Sequence, residues 1–440
     1  MTDTLARLYA DHLATLMARA DLALTAARRD HLLIAAGMPA CYFLDDRPTG
    51  FVANPHFLHW LPLTGAPGSW LRYTPGQRPQ LIFLQPRDYW HVVPDAPSGA
   101  WVEHFDIVTI RTPEEARPHL PDAAARCAVI GPADTRGGLP CDNPQAVLDH
   151  LHWERAIKTP YETLLMRVAS RIGARAHRAA EAAFRAGSSE FEIHLAYLAA
   201  SGLSEAELPY ANIIALDHHG AVLHYSDFVR TRPAAPKSFL IDAGGQHAGY
   251  ASDITRTHAA AGHDGFAALI ASMEAVQQHL CDGVLAGQGY PELHLEAHRR
   301  IAGVLAEHGL VRCSAEAAFD QGITRTFFPH GLGHLLGLQV HDIGGHQAGP
   351  GGGTLAKPDG HPYLRLTRTL QPGMVVTIEP GLYFIGMLLD ELRTTPAAAD
   401  VDWARVATFM PYGGIRIEDD VQCTAGAPLN LTREAFAALG

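Results

Sequence analysis

The sequence predicts two domains, an α/β domain followed by an α+β domain. With 440 residues, the chain is long enough for two ordinary hydrophobic cores. Residues 1–150 alternate helical and strand-like segments, whereas the remainder has long helices first and then strands separated by Gly/Pro turns. We therefore place the domains at 1–157 and 158–440.

The N-terminal domain is predicted to open with two helices, at about residues 4–19 and 24–37, and the first has an amphipathic pattern. Turn-forming loops such as DDRPTG and TPGQRPQ separate the segments that follow. Those segments are rich in β-branched and aromatic residues, and we predict four strands at 40–44, 80–84, 105–110 and 126–131.

The C-terminal domain is predicted to begin with an alanine-rich helix over residues 162–186. A second helix starts near Ser189, where SEFE has the pattern of a capping box. The stretch LIDAGGQHAGYASDITRTH, residues 240–258, predicts a hairpin, and a helical block covers about 263–309. The final third is predicted to form strands.

Composition excludes several classes of protein. Apolar residues make up 47% and charged residues 18% of the chain, as in globular proteins. The net charge of −12 disfavours a nucleic-acid partner. We find neither a signal peptide nor an apolar run long enough to span a bilayer. Six scattered cysteines without a CxxC pair indicate free thiols, so we expect a cytoplasmic protein with no membrane partner.

Four carboxylates occur in segments that otherwise have the pattern of a buried core. Asp242 and Asp253 belong to the predicted hairpin, where we expect them to lie opposite one another. Glu379 ends the run VVTIEPGLYF, and Glu418 lies in GIRIEDDVQ. A single carboxylate in a strand usually faces solvent, but burying four unpaired ones costs several kcal/mol each. A pair of divalent cations about 3.5–4 Å apart is the simplest compensation.

The segment HGLGHLLGLQVH, residues 330–341, adds histidines to this set. Its first two histidines are four residues apart, and the glycines between them permit a turn or a close approach of the backbone. We predict that His334 is a metal ligand and that His330 either supports a ligand through a contact or lines the pocket. The spacing of the histidines alone is a weak indication of a metal site. It becomes a strong one in combination with the carboxylates that precede and follow it in the sequence.

These motifs, ID-x10-D, HGLGH, IEPG and IED in this order, resemble the pita-bread metallopeptidases, the family of creatinase and methionine aminopeptidase. The bacterial Xaa-Pro dipeptidases (prolidases) and their organophosphorus acid anhydrolase relatives are the most similar subgroup. Four segments carry that similarity, at 85–94, 209–225, 327–345 and 377–385. The resemblance implies a creatinase-like N-terminal α/β domain and a pita-bread α+β catalytic domain.

The resemblance also implies the ligand set of two divalent metal ions. Asp242 would bind one ion, Asp253 and Glu418 would bridge both, and His334 and Glu379 would complete the set. The family suggests Mn²⁺, although Co²⁺, Zn²⁺ or Fe²⁺ would accept the same ligands. The ions would activate a water as nucleophile, and Glu379 would carry its proton to the leaving proline nitrogen.

Further residues match substrate-contacting positions of the family. His224 and His341 would contact the substrate and stabilise the oxyanion, although His224 could instead be a polar strand residue. Arg416 would be catalytic or would form an ion pair that offsets the negative charge of the site. Arg368 would hold the substrate carboxylate or would be a surface arginine. Thr255 would orient Asp253.

The pocket also needs an apolar wall and a group for the free amine. Tyr210 matches a pocket tyrosine of the family, and Trp90 is a candidate wall residue. Asp45 or Asp46 could reach the amine from the partner subunit of a homodimer, but an aspartate pair before Arg-Pro is more often a turn.

The predicted activity is hydrolysis of Xaa-Pro dipeptides, with organophosphorus P–F or P–O bonds as a side activity. One alternative is an aminopeptidase P acting on longer peptides. Methionine aminopeptidase is disfavoured by the full-length N-terminal domain. An alternative of a different class is a metal-free pita-bread binding protein, which the intact ligand set disfavours.

Overall fold

The computed structural model describes residues 2–122, 126–133, 135 and 137–439. Its contacts divide the chain into two compact units. The N-terminal unit comprises Met1–Leu164 together with Gln347–Thr354, and the C-terminal unit comprises Leu165–His346 and Leu355–Gly440. The domain boundary after residue 157 stays a prediction.

The N-terminal unit is built on a mixed five-stranded sheet in the order β4-β3-β2-β1-β5. Strands β1 and β5 are parallel, as are β3 and β4, whereas β2 is antiparallel to both of its neighbours. The elements in this part of the chain are α1 (Thr2–Ala27), β1 (His31–Ala35), α2 (Pro55–Trp60), β2 (Trp70–Tyr73), β3 (Gln80–Leu84), β4 (Asp106–Ile110), β5 (Cys127–Ile130) and α3 (Gln145–Arg155).

Two predictions for this unit are wrong. The helix predicted at 24–37 ends at Ala27, and His31–Ala35 forms β1, because an apolar run buried on both faces fits a central strand. The predicted strand at 40–44 lies in a loop, where Phe43 and Leu44 are exposed. The sequence analysis also missed β2. The core packs Leu33, Ile82 and Val129 around Trp70.

The C-terminal unit combines helices with several small sheets. Strands β10, β7 and β6 form one antiparallel sheet, β13, β16 and β17 another, and β14 pairs with β15. The elements in this part of the chain are α4 (Pro160–Arg185), α5 (Glu190–Ser201), β6 (Ile213–Leu216), β7 (Ser238–Asp242), β8 (Gln246–His247), β9 (Tyr250–Ala251), β10 (Thr255–Ala259), α6 (Asp264–Asp282), α7 (Tyr290–Glu307), α8 (Ala315–Asp320), α9 (Thr324–Phe327), β11 (Gln347–Gly349), β12 (Gly352–Thr354), β13 (Val375–Ile378), β14 (Gly381–Tyr383), α10 (Gly386–Arg393), α11 (Trp403–Phe409), β15 (Gly414–Arg416), β16 (Asp419–Gln422), β17 (Leu429–Asn430) and α12 (Leu431–Ala437).

Helices α4 and α5 cover the sheet that leads to the site. Phe184 on α4 and Ile193 and Tyr197 on α5 share a core cluster with Ile214 of β6 and Ile241 of β7. The predicted capping box at Ser189 is confirmed, because its side chain accepts the Glu192 N–H while Glu192 accepts the Ser189 N–H. None of the helices in the described ranges combines the length and apolar character needed to cross a membrane.

The predicted hairpin of residues 240–258 has a different register from the one expected. Asp242, the last residue of β7, pairs with Thr255, the first of β10, and Asp253 precedes that strand. The connection contains a small hairpin of its own, β8 with β9. The two aspartates are therefore not opposite one another in a ladder, and the residues flanking the strands must bring them to the site.

Candidate active site

Strand ends and their flanking residues supply the four carboxylates among the five predicted metal ligands. Asp242 ends β7, Asp253 comes two residues before β10, Glu379 follows β13, and Glu418 separates β15 from β16. An isolated bridge between Thr255 and Glu418 joins the sheets of β10 and β16. Carboxylates at such ends can turn toward one another without interrupting the ladders.

Three of these side chains form a compact buried group. Asp253, His334 and Glu418 offer ligand atoms that all lie within 4.8 Å of one another. His334 Nε2 is 3.5 Å from Asp253 Oδ2 and 3.6 Å from Glu379 Oε1, so Glu379 belongs to the same cluster. The structure thus brings together four residues that are far apart in the chain.

Asp242 is tied to this cluster through Arg416. The Arg416 guanidinium donates from Nη2 to Asp242 Oδ2 at 2.6 Å, from Nη1 to the Tyr383 hydroxyl at 2.8 Å and from Nε to Thr255 Oγ1 at 3.2 Å. The ion pair that the sequence analysis considered is therefore present. Since these donors face groups of the protein, Arg416 is placed as a positioning residue for Asp242.

The carboxylates shift one another's pKa. Burial raises the pKa of Glu379 to about 7, with further raising by Asp253 and Asp242 against lowering by His334. Burial likewise raises the pKa of Glu418 and of Asp242, and the neighbouring carboxylates add to the shift. Without a counter-charge, the group cannot hold all of its negative charges at neutral pH.

Asp253 behaves differently from its neighbours. Burial raises its pKa, but hydrogen bonds from His334 and Tyr210 outweigh that effect, so the pKa of the carboxyl lies below its usual range. The Tyr210 hydroxyl donates to Asp253 Oδ1 at 2.5 Å. The predicted pocket tyrosine therefore contacts a predicted metal ligand directly.

The donor set fits divalent cations. Asp242 Oδ1 is buried and has no hydrogen-bond partner among the described residues, as expected of an oxygen whose partner is an ion. His334 Nδ1 lies 3.0 Å from the Leu335 carbonyl, so this nitrogen can keep its proton when a cation replaces the proton on Nε2. Four carboxylates and one imidazole suit hard or borderline divalent metals.

Thr255 contacts a different carboxylate from the one predicted. Its hydroxyl donates to Glu418 Oε2 at 2.6 Å rather than to Asp253. The reason is the isolated bridge that aligns Thr255 with Glu418. The backbone N–H of Asp253 instead donates to the Asp420 carboxylate, at 3.2 Å from each oxygen.

His330 and Tyr383 extend the network away from the ligands. His330 Nδ1 is 2.8 Å from the Gly331 carbonyl and its Nε2 is 2.9 Å from the Tyr383 hydroxyl. Burial and then the Arg416 charge lower the pKa of His330 to about 3, so its ring is neutral. The sequence analysis missed Tyr383, and its only signal was its place four residues after Glu379, at the end of β14.

His341 and His224 are exposed side chains near the ligand cluster. The His341 ring packs edge-on against His334, with centroids 4.5 Å apart. Burial of part of the ring and then the His334 charge lower the pKa of His341 to about 4, with a smaller contribution from His224. His224 lies in a turn, so the alternative of a strand residue is wrong.

The loop that carries His224 is anchored by Glu190, a second residue that the sequence analysis missed. Glu190, the first residue of α5, is 1% exposed. It accepts hydrogen bonds from the Leu216 and Val229 N–H groups, each at 2.9 Å, and from the Tyr225 hydroxyl at 2.8 Å. This buried carboxylate holds both ends of the segment 216–229, and Tyr225 is the neighbour of His224.

The remaining predicted substrate residues are placed as follows. Arg368 is 2% exposed and donates from Nη1 to the Gly344 carbonyl at 3.4 Å, so the alternative of a surface arginine is wrong. Asp45 and Trp90 belong to exposed loops of the N-terminal unit. Asp45 Oδ1 accepts the Arg47 N–H at 3.0 Å, which is the turn geometry weighed as its alternative.

Comparison with known proteins shows the family of this chain. Residues 164–425 match metallopeptidase family M24, and residues 7–153 match the N-terminal domain of Xaa-Pro dipeptidase. A protein of Xanthomonas campestris pv. campestris (strain B100), named Xaa-Pro dipeptidase, is 58% identical over 436 residues and covers 99% of each chain. The chain belongs to the Xaa-Pro dipeptidases of metallopeptidase family M24. The predicted family is therefore confirmed.

Other M24 relatives extend the comparison. The Xaa-Pro dipeptidase of Stenotrophomonas maltophilia (strain K279a) is 55% identical over 432 residues, 98% of each chain. Among solved structures, aminopeptidase PepP of Pseudomonas aeruginosa has a TM-score of 0.70 at 23% identity, over 98% of each chain. Aminopeptidase P from E. coli with the inhibitor Pro-Leu has a TM-score of 0.70 at 22% identity, over 98% and 97%. These structures confirm the predicted two-domain pita-bread fold.

Proposed function

We propose that this chain hydrolyses Xaa-Pro dipeptides at a site that holds two divalent cations. The observation that carries the proposal is the convergence of Asp253, His334 and Glu418 within 4.8 Å, with Glu379 beside His334. The relatives named Xaa-Pro dipeptidase, at 55–58% identity over nearly the whole chain, support this substrate class.

The cations would be held by Asp242, Asp253, His334, Glu379 and Glu418. When bound, they polarise the scissile carbonyl and lower the pKa of water toward neutrality. We propose Mn²⁺ as the native metal, and Co²⁺, Zn²⁺ or Fe²⁺ would suit the same donors. Metal analysis of protein purified without added metal identifies the ion, and two equivalents of that ion per chain are expected at the carboxylate site.

Glu379 is our candidate for the proton carrier. Its Oε1 is 3.6 Å from His334 Nε2, so the carboxylate lies beside the other proposed ligands. It would take a proton from the attacking water and deliver it to the proline nitrogen, which must leave as an amine.

His341 and His224 would donate hydrogen bonds to the substrate as charge develops on its carbonyl oxygen. Both side chains are exposed, and the His341 ring contacts the ring of His334, a proposed metal ligand, which supports this role. His341→Ala is expected to keep its metal content and to lose kcat by about 100-fold, the usual size of such a contribution. Loss of metal instead would make His341 a ligand.

The dipeptide ends require further partners. Arg368 would hold the carboxylate, Tyr210 would line the proline pocket, and His330 would line its wall. The roles of Asp45 at the amine and Trp90 at the wall stay predictions. Substitution of each by alanine, with KM measured for Ala-Pro, tests them: a raised KM with unchanged metal content supports contact with the substrate.

The chemistry of the Xaa-Pro peptide bond explains why a metal site of this kind would cleave it. The bond has no N–H, so enzymes that hydrogen-bond that group lose an anchor. A site that polarises the carbonyl and holds the two charged ends of a dipeptide does not need a hydrogen bond from that N–H. The decisive assay compares Ala-Pro and Leu-Pro with Ala-Pro-Ala after treatment with EDTA and reconstitution with Mn²⁺. A preference for the tripeptide would support the aminopeptidase P alternative and contradict our proposal.

The same electrophilic site could act on phosphorus esters. Phosphoryl centres also develop negative charge on oxygen during displacement. We therefore propose a side activity on organophosphorus P–F and P–O bonds. Hydrolysis by the wild type and none by Glu418→Gln would support it, whereas equal rates for the two would assign the turnover to a contaminant.

We further propose a homodimer. Two loops of the N-terminal unit expose large apolar side chains, with Phe43 and Leu44 each 91% exposed, Trp90 78% and Val92 97%. Exposed apolar surface of this kind commonly marks a protein interface. Sedimentation should give a dimer for the wild type and a monomer for Phe43→Ser/Leu44→Ser. A monomeric wild type would contradict the proposal.

We also propose that the chain works in the cytoplasm, as the composition predicts. Cys127, Cys281 and Cys423 are buried free thiols, which is typical of proteins in a reducing compartment. Cell fractionation with an antibody against the chain tests the location.

A further inference from the structure

A second group of metal-ligating side chains lies outside the carboxylate site. His294, His298 and His361 offer ligand atoms within 4.8 Å of one another. His294 is fully buried, His298 is 1% exposed, and His361 is partly buried. None of them belongs to the predicted ligand set or to the substrate contacts.

Helical spacing places two of these histidines together. His294 and His298 are four residues apart in HLEAH on α7, so they share one face of the helix. His361 comes from the irregular segment that precedes β13, and its Nδ1 lies 2.8 Å from His294 Nε2. Three imidazoles from two parts of the fold therefore converge on one point.

His298 has a buried nitrogen, Nε2, with no hydrogen-bond partner in the described part of the chain. In His294 the nitrogen that faces the cluster is Nε2, which lies beside His361. The other nitrogen of His298, Nδ1, lies 3.0 Å from the Thr324 hydroxyl. When Nδ1–H donates to that hydroxyl, Nε2 carries a lone pair into the cluster. A hydroxyl that orients the far side of a ring in this way is typical of ligating histidines.

The imidazoles are neutral at physiological pH. Burial and then mutual repulsion lower the pKa of His294 to about 3 and that of His298 to about 2. Burial and then the Arg325 charge lower the pKa of His361 as well. Neutral imidazole is the form that binds metals, and these side chains need no deprotonation at pH 7.

We propose that His294, His298 and His361 bind a divalent transition metal ion of the Zn²⁺ class, separate from the ions of the carboxylate site. Three nitrogen donors and no carboxylate select Zn²⁺, Cu²⁺ or Ni²⁺ over Mn²⁺ or Mg²⁺. The fourth position of a tetrahedral ion would take a water. Zn–N bonds of about 2.0–2.1 Å require nitrogens roughly 3.3 Å apart, so the His294–His361 pair must open by about half an ångström.

The position of the cluster suggests what the ion would do. Phe328 packs against His298 on one side and His330 on the other, with ring centroids 4.8 Å apart in both pairs. His330 belongs to the HGLGH segment of the carboxylate site. The ion would therefore clamp α7 to the segment around His361 beneath that site, as a structural metal. The positive charge of Arg325, which acts on His298 and His361, would weaken the binding of a cation there.

Metal counting tests the proposal directly. Wild type, His298→Gln and His361→Gln are stripped with chelator, dialysed against Zn²⁺ and analysed by mass spectrometry. We expect three zinc ions per chain in the wild type and two in each variant. His279→Gln, which removes a half-exposed histidine of α6, is the matched control and should keep three. Equal zinc content in all four proteins would overturn the proposal.

A second design separates this site from the carboxylate site. Asp253→Asn/Glu418→Gln should retain one zinc ion, and X-ray absorption of that sample should give about three imidazole nitrogens near 2.0 Å. Crystals of the wild type soaked in Zn²⁺ should show an anomalous peak between the three rings, which requires no substitution. A hydrogen-bonded histidine cluster without metal predicts no peak there, and that outcome would end the proposal whatever the dipeptidase assay gives.

Discussion

Other groups of the chain hold three of the predicted metal ligands. Arg416 donates to Asp242, Tyr210 to Asp253, and Thr255 to Glu418. These partners satisfy one oxygen of each carboxylate and leave the other oxygen available to a cation. Such support fixes ligand orientation and tunes affinity, and losing it typically costs about 10–100-fold in metal binding or activity.

Removing a predicted bridging charge should abolish the metal centre. Asp253→Asn or Glu418→Gln replaces an anionic ligand with an amide of the same shape, so we expect loss of bound metal and of more than about 100-fold in kcat/KM. Metal analysis and dipeptide hydrolysis measure the two effects. Circular dichroism should match the wild type, because the isosteric change spares the core. Full turnover in either variant would contradict the bridging assignment.

The Tyr383 hydroxyl should support the site without touching a predicted ligand. Tyr383→Phe leaves an Arg416 N–H and His330 Nε2 without their partner in a buried environment, at a cost of about 1–3 kcal/mol. Urea unfolding measures that loss, and metal titration should show affinity weakened by about tenfold. Tyr363→Phe, at a 67% exposed tyrosine, is the control and should change neither quantity. Unchanged metal affinity in Tyr383→Phe would show that the Tyr383 hydroxyl does not support the metal ligands.

At the scale of elements, close backbone approach positions the HGLGH segment. The predicted role of its glycines is confirmed. A Cβ at Gly331 would lie 2.9 Å from Leu364 Cα, and one at Gly333 would lie 2.2 Å from the Thr377 carbonyl oxygen. Leu335 bridges Val376 of β13, and the His334 N–H donates to the Thr377 hydroxyl at 3.0 Å. The strand thus sets the position of the imidazole.

A methyl group at Gly333 should push this segment away from β13. We expect Gly333→Ala to destabilise the fold by about 1–3 kcal/mol, the usual cost of overpacking, and to weaken metal binding because His334 moves. Thermal unfolding and metal titration measure both effects. Gly303→Ala on α7 is the control, since nothing lies within 4 Å of its Cβ position, and it should stabilise the helix by about 0.5–1 kcal/mol. Wild-type metal affinity in Gly333→Ala would show that the segment tolerates the shift.

At the scale of the whole molecule, stability depends on histidines that are buried in the neutral form. Burial is the main cause that lowers the pKa of His12 and of His258 to about 4 and that of His177 and of His294 to about 3. Members of this set occur in both units, so each core contributes to the same pH dependence.

The sign follows from proton binding. The unfolded chain protonates these rings below about pH 6.5, whereas the folded chain does so only near pH 3–4. Their contribution is complete above pH 6.5 and is lost as the pH falls toward 4. The site carboxylates with a raised pKa, such as Glu379 and Glu418, act in the opposite direction, but His298, His330 and His341 also have a lowered pKa and add to the set. We therefore expect the free energy of unfolding to fall by more than about 1.4 kcal/mol per pH unit between pH 6 and 5, which corresponds to more than one proton.

Urea titrations across pH 4.5–8, on chelator-treated protein, measure this slope. His177→Gln removes one of the buried rings and should lower the slope relative to the wild type. A free energy of unfolding that does not change between pH 6.5 and 5 would contradict the prediction.

Particular residues show which features of the fold and of the site could be predicted from the sequence. The order and spacing of Asp242, Asp253, His334, Glu379 and Glu418 indicated the family, because carboxylates in apolar runs require a counter-charge. The capping box at Ser189 was predictable because it depends on a local hydrogen-bond pattern. Strand β1 was not, since an apolar run that is buried on both faces has no period that distinguishes it from a helix.

The sequence alone therefore determined the chemical class of this protein. Carboxylates are rarely buried in a core unless a counter-charge such as a metal ion pairs with them. Only the tertiary structure decided that Asp242 pairs with Thr255, that Arg416 and Tyr383 support the carboxylates, that Glu190 anchors the His224 loop, and that three further histidines meet beneath the site. Those contacts join residues far apart in the chain, and such pairings depend on strand register and packing rather than on local pattern.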